Sequence, residues 1–485
     1  MIKRCLVFVP HQDDETMLAG NFINMLCKAG VEVFILYSTN GDWKYPADLR
    51  VREAINANKA LGNINEDHII LLGYGDTYNN EAHTHYYYAE NTAVESAAGH
   101  TETYGAYGIP DYRYKKSGHH SPYTRRAYIA DLKDAIKDLL PDLMICIDFD
   151  EHPDHRMLTL GFENALGELL NELKSYHPIV LKGFVYCNAY TAIDDFYESP
   201  PNETKRPVVG KTGKYTFDMI DTCSYEWENR IHIYGSPHSR TRNLLKNSKA
   251  QALRKHKSQY VILRAGRIIN SDEVFWLRRT DSISYQATIT VSSGEANHLK
   301  DFKLYNCNEI DSLHPSFTDY LWQPYDEKKE AIFSWDNPQI ITMCDIYGNV
   351  EDTGRISKIR LRFDNGFVFE TGPLQDKGIP LHITFPIQTE VRWCSVQIVE
   401  TEGTGWGIAE CEFYTRDDSN SIINEIERFS EKKELLQSER ISLYKVINSC
   451  FFKLINIKKL GGRVYWLIKR KGIKGVVNKI RGKFR

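Results

Sequence analysis

A chain of 485 residues exceeds the size of one ordinary hydrophobic core, so its length predicts two or three domains. Hydrophobic residues make up 42% and charged residues 26% of the chain, as in soluble globular proteins. The net charge of −3 favours no class of partner, and the ten cysteines are scattered without a Cys-x-x-Cys pair, which argues against a zinc ribbon and a disulfide framework. No signal peptide precedes the first apolar run, so we expect a reducing, cytoplasmic setting.

Three polar side chains follow this first apolar run. Residues 5–9 predict a buried, parallel strand, and apolar residues recur at helical spacing from Leu18 onward. His11, Asp13 and Asp14 therefore lie on a strand-to-helix turn, where open α/β sheets bind their ligands. One imidazole beside two carboxylates suits a zinc ion that keeps one position for water. An Asp that only caps the helix would explain one carboxylate, but not two anions beside a histidine.

A second turn of the same kind supplies the further ligand that a metal site needs. Residues 143–147 are apolar, and residues 158–173 show helical spacing. Between them, His152 and His155 are three residues apart at the start of the helix and can point to one side. The two turns would lie side by side if their strands are neighbours in the sheet.

Strands and helices alternate through the first half of the chain. This alternation predicts an α/β fold with a Rossmann-like, mostly parallel sheet. No Gly-x-Gly-x-x-Gly follows the first strand, which argues against a dinucleotide-binding fold. The predicted strands are 5–9, 31–37, 69–72, 143–147 and 179–186, and the predicted helices include 16–28, 50–61, 123–139 and 243–255. Residues 273–276 are expected to close the first domain.

Both turns carry a family resemblance. His11-Gln12-Asp13-Asp14-Glu15 resembles the His-Pro-Asp-Asp-Glu signature of the PIG-L/LmbE family of zinc-dependent N-acetylglucosamine deacetylases, and His152-Pro153-Asp154-His155 resembles its second signature. The departure is Gln12 in place of Pro, which we expect to loosen the turn without removing a ligand. The resemblance covers about the first 280 residues. Further elements in the family's order are Ser38-Thr39-Asn40-Gly41, Arg50 with Glu53, Leu72-Gly73-Tyr74-Gly75-Asp76 and His256-Lys257-Ser258-Gln259.

The resemblance implies a metal centre and a base. His11, Asp14 and His155 would hold Zn²⁺, or another divalent ion such as Fe²⁺. Asp13, adjacent but not ligating, would take a proton from the attacking water and return it to the leaving amine.

The remaining site residues follow from the same motifs. His152 would stabilise the developing oxyanion or act as an acid, and Asp154 would orient His152 and favour its charged form. Arg50 and Asp76 would bind sugar hydroxyls, with Arg52 as a rival to Arg50.

The segment 77–121 is rich in tyrosine and histidine and predicts a long connection without regular structure. Its tyrosines either stack on sugar rings or pack over the sheet. The histidines of this segment form no regular spacing, so solvated or hydrogen-bonded rings are favoured over a second metal site; they are His83, His85, His119 and His120.

The pattern of apolar and polar residues changes at about residue 283. Short alternating stretches in residues 283–416 predict a small all-β sandwich after an enzyme-like domain at 1–282. Phe317-Thr318-Asp319-Tyr320-Leu321-Trp322 and Trp406-Gly407-Ile408-Ala409-Glu410-Cys411-Glu412-Phe413-Tyr414 resemble parts of the galactose-binding-like fold. Such a sandwich either binds glycans or positions its partner domain.

The C-terminal residues differ from the rest of the chain. Residues 417–447 predict a helical linker, and residues 448–485 contain no acidic residue and twelve Lys and Arg residues among apolar and aromatic ones. This basic amphipathic tail is typical of an interfacial anchor on an anionic membrane, here the cytoplasmic face. A nucleic-acid partner, which we favour less, and a solvated tail are the alternatives.

The function predicted from these parts is deacetylation of an N-acetylated amino sugar within a glycolipid or polysaccharide biosynthetic intermediate. One alternative keeps the chemistry on a non-sugar N-acyl metabolite. Another is a glycan-binding protein with a vestigial metal site.

Overall fold

The computed structural model describes residues 2–77, 86–150, 152–185, 197, 203–204, 225–264, 268–305, 320–350, 353–386, 390–431 and 441–481, with side chains of the last helix as far as residue 461. The strands are β1 (Arg4–Val9), β2 (Glu32–Thr39), β3 (Ile69–Tyr74), β4 (Leu143–Ile147), β5 (Ile179–Gly183), β6 (Ile231–Tyr234), β7 (Asp272–Arg278), β8 (Thr288–Val291), β9 (Glu330–Ile340), β10 (Met343–Tyr347), β11 (Gly354–Phe363), β12 (Val368–Glu370), β13 (Leu381–Thr384), β14 (Glu390–Gly403) and β15 (Glu410–Tyr414). The helices are α1 (Asp14–Lys28), α2 (Ala47–Gly62), α3 (Tyr112–Ser117), α4 (Arg125–Leu139), α5 (Pro153–Glu172), α6 (Pro237–Arg240), α7 (Ser248–Leu253), α8 (Ser419–Glu427) and α9 (Ile441–Arg481).

The first part of the chain folds around one seven-stranded sheet of order β3-β2-β1-β4-β5-β7-β6. Strands β3, β2, β1, β4 and β5 run parallel to one another. At the edge of the sheet, β7 pairs antiparallel with β5, and β6 pairs antiparallel with β7. The apolar strands are buried because helices cover the parallel sheet on its faces. The predicted Rossmann-like α/β fold is confirmed. Strand β1 pairs directly with β4, from Cys5 with Leu143 to Phe8 with Cys146, so the two polar turns that follow these strands are neighbours.

The second part of the chain is a sandwich of two antiparallel sheets, as predicted. Their orders are β12-β11-β14-β9-β8 and β13-β10-β15. In strand β9, Ala331, Phe333 and Trp335 alternate on the buried side. The alternation ends after Trp335, because Asp336, Asn337 and Pro338 are all exposed.

The two parts pack against each other through α5 and β7. A Cβ at Gly167 of α5 would lie 2.0 Å from the carbonyl oxygen of Asp301, so only glycine allows this close approach. The Arg278 guanidinium on β7 lies 2.7 Å from the Glu412 carboxylate on β15, and both side chains are buried. The sandwich is therefore docked on the helix whose first turn carries His155.

Two predicted stretches differ from the observed elements. Segment 77–121 is not devoid of regular structure, because α3 lies within it, with Asp111 capping its N-terminus. The helix expected at 243–255 is shorter, since the Asn247 side chain accepts from the amide of Ala250 and starts α7 there. Within the described residues, no helix combines the length and apolar character needed to cross a membrane.

Candidate metal centre

The two turns meet at the carboxyl ends of β1 and β4. The turn after β1 is tied to β2, because the amide and the hydroxyl of Thr39 both donate to the carbonyl oxygen of Pro10, at 3.1 and 2.9 Å. The turn after β4 leads into α5, whose N-cap residue is His152. The sheet thus brings together side chains that are about 140 residues apart in the chain.

Asp14 lies between two histidines. Its Oδ2 atom is 2.9 Å from Nδ1 of His11 and 3.2 Å from Nε2 of His155. A tetrahedral zinc ion with ligands at about 2.0–2.1 Å holds its ligand atoms about 3.3 Å apart, and each of these two separations is close to that value. The other oxygen, Oδ1, is buried and accepts no hydrogen bond within the described part of the chain. A buried carboxylate oxygen that accepts no hydrogen bond is stabilised only if a cation compensates its charge.

The ring of His152, on the second turn, lies beside both of these histidines. Ligand atoms of His11, His152 and His155 all lie within 4.8 Å of one another. A second, overlapping group joins His11 and His152 with Asp76 and Asp154. The donor set is that of zinc or of another divalent transition metal.

The charges of the centre are strongly coupled. Burial favours the neutral ring of His11, but the carboxylates of Asp76 and Asp14 outweigh it and hold its pKa well above the usual range. Burial opposes the charged form of Asp14, but His155 and His11 keep the pKa of this carboxyl well below its usual range. Asp14 is therefore an anion, the form in which it can bind a metal.

Asp150 is a site residue that the sequence analysis missed. Its Oδ2 atom lies 2.8 Å from Nδ1 of His155, and both side chains are buried. Burial lowers the pKa of His155, yet Asp150 and Asp14 raise it to about 9. A carboxylate on Nδ1 orients the ring and directs Nε2 toward Asp14, as in carboxylate–histidine–metal triads. The signal was its position five residues before His155 in the same motif.

Asp13 is not a helix cap. It occupies the N-cap position of α1, but its side chain makes no capping hydrogen bond. Instead Oδ1 of Asp13 accepts from the Arg50 guanidinium at 3.1 Å, and burial raises the pKa of Asp13 although Arg50 opposes this. Arg52, the rival for the role of Arg50, is exposed. Arg50 thus lies against the predicted base, and its sugar contact stays a prediction.

His152 and Asp154 are arranged differently from the expectation. The Asp154 amide donates to Nδ1 of His152 at 3.2 Å, while the Asp154 carboxylate lies closer to His11, at 3.0 Å. Burial and the two neighbouring histidines lower the pKa of His152 well below its usual range, against the weaker pull of Asp154. The ring is therefore neutral, and because Nδ1 accepts, its proton is on Nε2.

A family comparison covers the whole of this centre. Residues 6–166 match the PIG-L family, described as GlcNAc-PI de-N-acetylase. These residues form a PIG-L family domain. The PIG-L domain contains both turns, from His11 to His155. No curated protein sequence matches the chain.

Several solved structures are similar to portions of the chain. N,N'-diacetylchitobiose deacetylase from Pyrococcus horikoshii is 15% identical, covers 57% of this chain and 85% of its own, and gives a TM-score of 0.30. A deacetylase of the teicoplanin biosynthesis pathway is 16% identical, over 57% and 99%, with a TM-score of 0.33. The family 32 carbohydrate-binding module of NanJ from C. perfringens is 14% identical, over 27% and 94%, with a TM-score of 0.21.

Gln12 does not loosen the first turn of the PIG-L domain, contrary to the expectation. Its side-chain amide is buried and donates to the Thr39 carbonyl oxygen at 2.7 Å, which ties the turn to the end of β2. Gly41 has a positive φ of 62°, and a Cβ there would lie 2.3 Å from Oε1 of Gln12. The hydrogen bond of Gln12 and its close packing against Gly41 therefore restrain the turn, as the fixed φ of a proline would.

Asp76 lies at the centre rather than beside it. Its Oδ1 atom is 3.5 Å from Nε2 of His11, and its amide donates to Asp42 at 2.9 Å. Burial raises the pKa of Asp76, although His11 opposes this. The expected sugar contact of Asp76 stays a prediction.

The late His-x-Ser-Gln element packs behind the first turn. Nε2 of His256 lies 3.3 Å from Oε1 of Glu15, and both side chains are buried. The amide and hydroxyl of Ser258 donate to Glu53 on α2. These contacts position α1 and α2 beneath the centre.

The tyrosine-rich segment of the PIG-L domain contributes to its core. Tyr86 and Tyr87 are buried, and the Tyr86 ring packs 4.8 Å from Tyr74, so these two tyrosines pack over the sheet instead of stacking on a sugar. His119 and His120 are held separately, by the Ser117 carbonyl oxygen and by Asp111 at 2.8 Å, as hydrogen-bonded rings. His83 and His85, and the motif residues 317–319, lie outside the described residues.

Proposed function

We propose that this chain is a metal-dependent hydrolase that removes the N-acetyl group from an N-acetylated amino sugar of the N-acetylglucosamine type. One observation carries the proposal: the Asp14 carboxylate lies between His11 and His155, and the next carboxylate, Asp13, faces away from the helix end toward Arg50. This is a ligand set with a separate base beside it.

The family match supports the substrate class. The description of the matching family names the de-N-acetylation of GlcNAc-PI, and residues 6–166 include every proposed ligand. We propose a glycolipid or polysaccharide intermediate as the carrier of the sugar, processed in the cytoplasm.

The residues would share the hydrolysis of the amide as follows. His11, Asp14 and His155 would hold Zn²⁺ or Fe²⁺, which lowers the pKa of water and polarises the amide carbonyl when bound. Asp13 would accept a proton from the attacking water and transfer it to the departing amine, so that acetate and a free amino sugar result. Arg50 fixes the orientation of the Asp13 carboxylate at 3.1 Å.

His152 would act as the oxyanion donor. Its neutral ring carries the proton on Nε2, because Nδ1 accepts from the Asp154 amide at 3.2 Å. An N–H group aimed at developing negative charge contributes about 10²–10³ in rate in comparable sites. This arrangement favours stabilisation of the oxyanion over proton donation by a charged ring.

An assay of the purified full-length chain tests the proposal. N-acetylglucosamine and N-acetylated amino acids are offered, and acetate and free amine are measured with and without a chelator. We expect chelator-sensitive turnover of the sugar only. Turnover of the amino acids alone would favour the non-sugar amidase, and metal-loaded protein that binds glycan without turnover would favour a vestigial site.

A further inference from the structure

The last helix of the described structure presents two apolar sides. One side packs against the protein: Phe451, Phe452 and Ile455 contact the core of the first part. The other side exposes a row of aliphatic residues, here called the outer stripe, that are 46–67% accessible: Leu443, Val446, Leu454, Ile457 and Leu460. Their spacing of three and eight residues places them along one side of a helix.

The orientation of α9 is fixed by a buried polar contact. Asn448 is fully buried, its Oδ1 atom accepts from the Leu244 amide at 3.2 Å, and its Nδ2 atom donates to the Arg242 carbonyl oxygen at 2.7 Å. The Arg254 guanidinium lies 4.9 Å from the centre of the Phe451 ring on the same side. The helix therefore cannot turn its outer stripe inward without breaking these contacts.

The surroundings of the outer stripe are cationic. Lys453 and Lys458 are exposed next to the outer stripe, one directly before Leu454 and one directly after Ile457 in the sequence. From residue 448 to the end the sequence has no acidic residue and twelve Lys and Arg residues, whereas the whole chain has a net charge of −3. A partner surface complementary to the outer stripe is therefore apolar in its interior and carries anionic groups at its boundary.

We propose that the outer stripe of α9 docks in the plane of an anionic lipid bilayer. Aliphatic side chains would enter the boundary between headgroups and acyl chains, while the flanking lysines contact anionic headgroups. Binding to nucleic acid would neutralise the lysine charges but would leave the aliphatic side chains of the outer stripe exposed to water. A second copy of α9 would bring like charges together. The described residues 443–460 extend over about 25 Å, parallel to such a surface.

The docking proposal depends only on the observations on α9. Its consequence for the substrate also rests on the proposed function. An enzyme held at a bilayer by this face meets its acetamido sugar on a lipid carrier. The inference thus narrows the substrate to lipid-linked acetamido sugars.

Flotation of the full-length protein with vesicles tests the docking. Vesicles of phosphatidylcholine with about one third phosphatidylglycerol are compared with phosphatidylcholine alone. We expect binding to the anionic vesicles only, weakened about tenfold by high salt. The double variant L454D/I457D should bind at least about tenfold less, because it places charge in the apolar layer.

A matched control separates this effect from a general one. Ile340 and Val368 are exposed aliphatic residues of the sandwich, at 43% and 50%, so I340D/V368D should bind vesicles as the native chain does. L454D/I457D should hydrolyse a soluble N-acetylated sugar at the native rate. This activity assay distinguishes a failure of docking from a failure of the proposed function. The docking is overturned if native protein ignores anionic vesicles at low salt, if L454D/I457D binds them normally, or if that variant loses only dimerisation or oligonucleotide binding.

Discussion

The hydroxyl of Tyr305 donates a hydrogen bond of 2.5 Å to Oδ1 of Asp148, and both side chains are buried. Tyr305 follows β8 in the C-terminal part, and Asp148 follows β4 at the start of the second metal turn. Asp148 also lies 3.5 Å from the buried ammonium of Lys182. The sandwich therefore contributes a side chain to the scaffold that positions Asp150 and His155.

Removal of this hydroxyl should destabilise the protein. Tyr305→Phe leaves a buried carboxylate without one of its donors, which costs about 1–3 kcal/mol in the free energy of unfolding. Tyr112 makes the same contact with Asp138 at 2.6 Å on the surface, so Tyr112→Phe is the control and should cost less than about 1 kcal/mol. Urea unfolding measures both, and equal losses would mean that the buried contact has no special weight.

The ion pair between Arg278 and Glu412 should hold the two parts together. Arg278→Leu leaves the buried Glu412 carboxylate uncompensated and should lower the free energy of unfolding by about 3–5 kcal/mol. The matched control is Arg360→Leu, whose pair with Glu370 at 2.7 Å is partly exposed to solvent and contributes about 0–1 kcal/mol. A loss for Arg278→Leu no larger than that of the control contradicts the expectation.

The metal should depend on His155. We expect about one divalent ion per purified chain, measured by elemental analysis, and its loss together with activity in His155→Ala. His119→Ala is the control, since that exposed ring contacts the Ser117 carbonyl oxygen away from the centre. Full occupancy in His155→Ala would remove this residue from the ligand set.

The base should be separable from the metal. Asp13→Asn keeps the shape of the side chain and should keep the metal, but should reduce turnover by about 10²–10⁴. Metal content and steady-state rates are measured on the same sample. Near-native turnover with metal bound would assign proton transfer to a different group.

The sandwich should carry one pH-dependent contact. Nδ1 of His382 lies 2.6 Å from Oδ1 of Asp345 across β13 and β10, and this hydrogen bond raises the pKa of His382 despite partial burial. Because the pKa is raised on folding, the contribution is complete below about pH 6.5 and disappears as the pH rises through the folded value. His382→Gln should flatten this dependence of unfolding free energy on pH. An unchanged slope would exclude the contact as its source.

The sequence alone determined the Rossmann-like order, the β-sandwich and the two polar turns. These features are local: apolar runs, helical spacing and polar residues at strand ends follow from periods of a few residues. The expected ligands His11, Asp14 and His155 came together because β1 pairs with β4.

Only the tertiary structure decided which partner each polar group has. Asp150 orients His155, Arg50 contacts Asp13, and the Gln12 amide replaces a proline by bonding to β2. Tyr305 reaches Asp148 across 157 residues, and Asn448 decides which side of α9 faces solvent. Such contacts join distant segments whose separation leaves no periodic signal, so packing of the whole chain determines them.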